Sequence, residues 1–229
     1  SASGTFDFKV ENSIWEQFGK LAFEAQSTAA KVNFNLKDSV LTTTSHLVFG
    51  VADGEVVIDN SNVNVAASRQ IENRSVMIIK NGAVVNGAVA TSSNAKNPGT
   101  IIVENATYSV TGEFSGSDLG MGMIILKSGA NFTAGSITKA NIQIDATGMT
   151  TGVFTSLTAD LSKFEGDISV VNNDNLEAKI VDGKIVLVEK PIARIGTENY
   201  FSIADAIAAA QPGETVLLLR DVKLTGKLV

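Results

Sequence analysis

VMIIKNGAVV (residues 76–85) decides how the rest of the chain is read. Its apolar run is far shorter than the roughly twenty residues a membrane span needs. It is also too unbroken for a strand with one wet face. A lysine and an Asn-Gly pair follow at once, and this order of residue types returns along the chain. It recurs as VVIDNSNV (56–63), IIVENATY (101–108), IILKSGAN (124–131) and IQIDATGM (142–149). Near the start, TFDFKVENSIWEQFGKLAFEA from Thr5 lies over KVNFNLKDSVLTTTSHLVFGV from Lys31 without a gap, 26 residues apart. Repetition at this period is the signature of a solenoid.

The first pair of copies settles a local ambiguity. Ser13-Ile14-Trp15-Glu16 alone reads as a capping box opening a helix. Its counterpart, Ser39-Val40-Leu41-Thr42, continues into Thr43 and Thr44, a poor helix sequence. One structural unit must account for both, so both are read as strand and turn.

Stacked, the seven copies give each column a physical role. Phe8, Phe34, Val56, Met77, Ile101, Ile124 and Ile142 form one apolar column. Val10, Leu36, Ile58, Ile79, Val103, Leu126 and Ile144 form a second, two residues on. Side chains two apart share a strand face, here the interior. The charged column is out of phase and faces solvent: Glu11, Lys37, Asp59, Lys80, Glu104, Lys127 and Asp145. Its sign alternates at every step, and its spacings of 26, 22, 21, 24, 23 and 18 place the length variation in loops. Stacked in parallel about 4.8 Å apart, each charge lies between opposite charges. Each exposed pair contributes about 0.2–1 kcal/mol, and the larger effect is to fix register.

The next column, Asn12, Asp38, Asn60, Asn81 and Asn105, then Ser128 and Ala146, suits a turn whose amides bond to those above and below. Small residues follow (Ser13, Ser39, Ser61, Gly82, Ala106, Gly129, Thr147), as a tight bend requires. Trp15, Leu41, Val63, Val84, Tyr108 and Met149 then return to the core, with Asn131 or its neighbour Phe132 in the sixth copy.

These columns resemble right-handed parallel β-helices, as in the pectin-lyase-like fold and the passenger regions of bacterial autotransporter adhesins. The resemblance covers residue 5 to about 152 and rests on coil length, column pattern and the asparagine column. It implies an all-β, single-stack right-handed parallel β-helix of about seven coils, assigned to residues 1–177. AKIVDGKIVLVEK (178–190) is a hairpin about Asp182-Gly183, expected to cap the stack within residues 178–191. In residues 192–229, Ser202 and Asp205 frame a short alanine-rich helix that Pro212-Gly213 ends. TVLLLRDVKL then resumes a strand, as if a further β-helix module were starting, so the chain is expected to continue into more repeats.

Composition narrows the function. Of 229 residues, 44% are hydrophobic and 18% charged, enough for a sizeable core. The net charge of −6, without a basic stripe, excludes nucleic acid as the expected partner. Cysteine is absent, which removes disulfides and thiolate chemistry. No cofactor, metal or catalytic residue is assigned. His46 is the only histidine and reads as a surface residue. The charged column alternates its signs singly, which suits a structural ladder better than a calcium site of several carboxylates. VNNDN (171–175) and GSDLGMG (116–122) read as polar loops.

One column asks for more. Between the inward positions stand Lys9, Asn35, Val57, Ile78, Ile102, Ile125 and Gln143, pointing outward. Val57, Ile78, Ile102 and Ile125 therefore form an exposed aliphatic stripe with polar ends. Such a stripe is either a contact site or is covered by the chain itself, through inserts near 86–99 or 112–122 or through the tail. The favoured reading is a non-catalytic, extracellular, adhesin-like or stalk-forming segment of a bacterial surface protein. Its partner would be a host or neighbouring-cell surface protein or glycan, with no membrane insertion in this segment. A carbohydrate-binding β-helix, or a polysaccharide lyase or hydrolase, is the alternative by analogy with the wider fold. A purely structural spacer is the third.

Overall fold

A computed structural model describes residues 4–24, 30–50, 54–66, 69–92, 99–116 and 120–221. The chain winds as a parallel β-solenoid with three-sided coils. Coil one holds Gly4–Glu11 (β1), Ile14–Gln17 (β2) and Leu21–Glu24 (β3). Coil two holds Ala30–Lys37 (β4), Val40–Thr43 (β5) and Leu47–Gly50 (β6). Coil three holds Glu55–Asp59 (β7), Asn62–Val65 (β8) and Gln70–Asn73 (β9). Coil four holds Val76–Lys80 (β10), Val84–Gly87 (β11) and Val89–Ser92 (β12). Coil five holds Thr100–Glu104 (β13), Ala106–Val110 (β14) and Glu113–Gly116 (β15). In coil six, Gly122–Leu126 (β16) is followed by one long strand, Ala130–Ile137 (β17), which serves both remaining sides. Coil seven is partial, with Ala140–Asp145 (β18), Gly152–Val153 (β19) and Leu157–Asp160 (β20). An eighth first-side strand, Ile168–Val171 (β21), closes the series.

The first sides form one eight-stranded sheet, and sides two and three form a continuous path joined through β17. Among the described residues there are thus six complete coils and a partial seventh. Register follows the sequence alignment: Phe8 pairs with Phe34, Trp15 with Leu41 and Phe23 with Phe49. Ser13–Glu16 is turn and strand, since Ile14–Gln17 pairs in parallel with β5. The inward columns from coil two onward are buried, including Phe34, Leu36, Ile58, Met77, Ile79, Val103, Ile124 and Ile144.

The turn column works through backbone conformation. Asn12, Asp38, Asn60, Asn81 and Asn105 all have φ between 44° and 56°, the left-handed region that asparagine and aspartate tolerate best. Two of these side chains donate to carboxylates: Asn60 Nδ2 to Asp38 Oδ1 at 2.7 Å, and Asn81 Nδ2 to Asp59 Oδ1 at 2.8 Å. That differs from an amide-to-amide ladder, because the acceptors are the stronger carboxylates, Asp38 within the turn column and Asp59 in the charged column beside it.

One return position needs correction, and the choice left open in the sixth copy falls to Phe132. Val85, not Val84, is the buried partner of Val63 and Tyr108, while Val84 faces outward beside Asn62. Asn81 and Gly82 (φ 83°) are both left-handed, so this turn holds one residue more than its neighbours. Coil six does the same with Gly129 (φ 68°), which moves its inward residue to Phe132, opposite Tyr108.

The small column of the first three coils is also a hydrogen-bond chain. Ser39 Oγ accepts from Ser13 N at 3.0 Å and donates to Lys37 O at 2.6 Å. Ser61 Oγ accepts from Ser39 N at 3.0 Å and donates to Asp59 O at 2.7 Å. The hydroxyls thereby satisfy amides that the bend withdraws from the ladder.

VNNDN is the turn of the eighth first-side strand. Asn172 holds φ 61°, and the Asn173 amide donates to Met149 O at 3.1 Å. Leu176–Val181 (β22) and Lys184–Glu189 (β23) form the hairpin, turning at Asp182 (φ 49°) and Gly183 (φ 74°). β23 pairs antiparallel with β19 and brings Ile185 and Leu187 into the core. Beyond it, Ala193–Ile195 (β24), Glu198–Tyr200 (β25), Ile203–Ala209 (α1) and Val216–Leu218 (β26) form a small antiparallel sheet with one helix. Ser202 caps α1, its hydroxyl accepting from Asp205 N at 3.4 Å.

Candidate contact face

The first-side sheet presents one outward surface, and its register is set by the ladder. Val57, Ile78 and Ile102 are Cα partners in β7, β10 and β13, and Ile125 of β16 follows Ile102. Three steps of about 4.8 Å make a stripe roughly 14 Å long. All four side chains are part-exposed rather than buried. Val76 and Met123 widen the stripe on its N-terminal flank, separated by Thr100. Asn35 and Gln143 bound it at the two ends. Asn35 Oδ1 is buried there without a hydrogen-bond partner.

On the other flank runs the charged column. Glu11 pairs with Lys37, Lys37 with Asp59, Asp59 with Lys80 and Lys80 with Glu104. Lys80 Nζ lies 3.5 Å from Asp59 Oδ2, and Lys127 Nζ lies 3.2 Å from Glu104 Oε2. At the C-terminal end, Asp145 is held below the ordinary carboxylate range. The Thr147 hydroxyl is the main cause, at 2.6 Å, followed by the Asn172 side chain and the Thr147 amide at 3.1 Å. A carboxylate committed to such donors stays ionised and weakly basic. The face is therefore an aliphatic strip edged by charges that neutralise one another. Chemically it can exclude water from an apolar partner.

The parts of the chain proposed as its cover fall partly on residues 93–98, 117–119 and 222–229, outside the described residues. His46 lies on side three, where its Nδ1 accepts from Gln70 N at 3.3 Å. Among the described residues, no group of three or more His, Asp or Glu side chains is placed to hold a metal ion. No described helix is long and apolar enough to cross a membrane.

Two further surfaces were not singled out in the sequence. On side two, Thr42, Asn64, Asn86, Ser109, Thr133 and Thr158 stand in register. Asn86 Nδ2 donates to Asn64 Oδ1 at 3.2 Å. This flat polar row was hidden because its alignment depends on the extra turn residue of coil four. The second is a groove of about 560 Å³ between β20 and the hairpin, lined by Phe154, Leu157, Leu161 and Ile185, with Asp160 and Lys184 at its rim. Asp160 is engaged by Ser162 N at 2.9 Å, which lowers the pKa of its carboxyl.

No protein-family model matches the chain, and no curated protein or solved structure matches it either.

Proposed function

We propose that this chain is a non-catalytic, extracellular segment of a bacterial surface protein, adhesin-like or stalk-forming, and that the first-side face meets its partner. The observation that carries this reading is the stripe Val57–Ile78–Ile102–Ile125, part-exposed in the middle of a flat sheet. Large aliphatic side chains kept in register at the surface lower solubility unless a contact uses them. The likeness of the columns to the right-handed β-helices of the pectin-lyase-like fold and of autotransporter passengers supports the same reading. It is an argument from fold and carries no activity with it.

Binding of the purified chain to cultured host cells and to immobilised matrix proteins tests it. Ile78→Asn with Ile102→Asn should reduce binding at least tenfold. Asn35 and Gln143 occupy the same column, so the coil tolerates polar side chains there. Binding that the double variant leaves unchanged would overturn the assignment of this face.

A second reading, carbohydrate recognition, is favoured by the side-two row, whose amides and hydroxyls repeat at strand spacing and can bond along a sugar chain. Binding on a glycan array that is lost in Asn64→Ala with Asn86→Ala, yet kept in the stripe variant, would support it. Product release from acidic polysaccharides would show cleavage and contradict the non-catalytic reading.

A further inference from the structure

The aliphatic stripe and the charged column of the first-side sheet share one centre. Four coils supply the stripe, so its midpoint falls between Ile78 of β10 and Ile102 of β13. About such a point an alternating ladder has a particular symmetry: strands equally far from it on either side carry opposite signs. Lys80 is matched with Glu104, Asp59 with Lys127, and Lys37 with Asp145. The polar residues that bound the stripe, Asn35 of β4 and Gln143 of β18, are matched in the same way.

We propose that the first-side face binds a second copy of this chain about a two-fold axis parallel to the strands, between β10 and β13, an inference that rests on the reading of this face as a contact surface and names its occupant. Rotation about that axis lays β10 on β13 of the second copy, β7 on β16 and β4 on β18. Ile78 then meets Ile102, Val57 meets Ile125, and Asn35 meets Gln143. The ion pair of Lys80 with Asp59, at 3.5 Å, faces that of Glu104 with Lys127, at 3.2 Å, each charge opposite its complement. On the N-terminal flank the match is looser: Val76 meets Thr100, and the exposed Glu55 meets Met123.

The alternation also excludes the neighbouring arrangements. An axis lying on β10, rather than beside it, sets Lys37 against Lys127 and Asp59 against Glu104, and facing like charges repel. An axis between β7 and β10 keeps the signs opposed but sets Asn35 on Ile102. An axis along the solenoid lays the charged column over Val76, Thr100 and Met123, which buries charges without partners. Only the axis at the middle of the stripe satisfies both columns. Six strands and three outward columns measure roughly 29 Å by 20 Å. The two copies together bury on the order of 1,200 Å², the low end for specific association. The contact is isologous and closes at two copies.

Sedimentation equilibrium of the 229-residue chain from about 1 µM to about 1 mM tests the proposal. The weight-average mass should rise from the monomer's 24.0 kDa toward twice that value and stop there. Ile78→Asn with Ile102→Asn should remain monomeric. Lys80→Glu and Glu104→Lys should each weaken self-association about tenfold or more, because each sets like charges face to face twice. Mixed, these two variants should form a one-to-one heterodimer, since every facing pair is then opposite in sign. That recovery also shows that both variants are folded. A wild-type chain that stays monomeric over the whole range overturns the proposal. If the stripe variant then still loses binding to cells or matrix, the contact-face reading stands and a different partner occupies the face. Dimers that the stripe variant retains, or that the mixed charge variants fail to re-form, also overturn the arrangement. Dimers that behave as described, from a chain that binds neither cells nor matrix, uphold the self-contact and remove the host partner.

Discussion

Tyr108 is the largest side chain wholly inside the solenoid, stacked on Phe132 with ring centres 5.2 Å apart. Its hydroxyl has no hydrogen-bond partner, and burial pushes its pKa above the ordinary tyrosine value. An unpaired buried hydroxyl costs about 1–3 kcal/mol. Tyr108→Phe should therefore raise stability by about that amount in urea unfolding. The raised folded-state pKa means that this group's contribution is full below the unfolded value near pH 10 and declines as pH rises beyond it. The variant should accordingly lose less stability than the wild type above about pH 10. The serine chain gives the opposite case. Ser61→Ala leaves the Ser39 amide without its acceptor in a buried position and should cost about 1–3 kcal/mol. Of these two sites, the serine column was legible only as a run of small residues, because hydroxyl and glycine satisfy the same steric need. Tyr108 was legible as an inward residue, but the lack of a partner depends on everything around it.

At the scale of the strand, the first side was readable throughout seven copies because period-two apolar residues and a charge coincide in all of them, followed in the first five by a left-handed Asn or Asp. Where the charge lapses the signal fails. β21 has Val171 in the charged position, so the eighth strand was not recognised, although Asn172 kept the turn. Sides two and three carry no charge repeated at one position from coil to coil, and an extra turn residue moved Val85 into the place assigned to Val84. The entry into β21 depends on a contact no local pattern reveals. A Cβ on Gly166 would lie 1.5 Å from Ala140 O. Gly166→Ala must push β21 away from β18, at a cost of about 1–3 kcal/mol for overpacking. Faster hydrogen exchange confined to Ile168–Val171 and the hairpin would show the displacement. Unchanged protection there would mean the backbone absorbs the methyl elsewhere.

Across the whole molecule, each coil rests on the next, and stability is close to a sum of coil and interface terms. Among the described residues the first coil pairs with one neighbouring coil and β1 is mostly exposed, so in the 229-residue chain its amides should exchange fastest and those of coils three to six slowest, read by mass spectrometry. Coil four lies in the protected middle, and it contains the Asn81-Gly82 turn. Asn-Gly pairs lose ammonia when the glycine nitrogen attacks the asparagine side chain and closes a succinimide ring. Here the Gly82 nitrogen is held by Asn105 O at 2.6 Å and the Asn81 amide by Asp59 at 2.8 Å, so neither group is free to react. Ring closure requires the middle of the stack to open. Slow conversion of Asn81 to aspartate and isoaspartate then acts as a chemical clock for that opening. It should run many times faster in a peptide of residues 76–85 than in the intact protein.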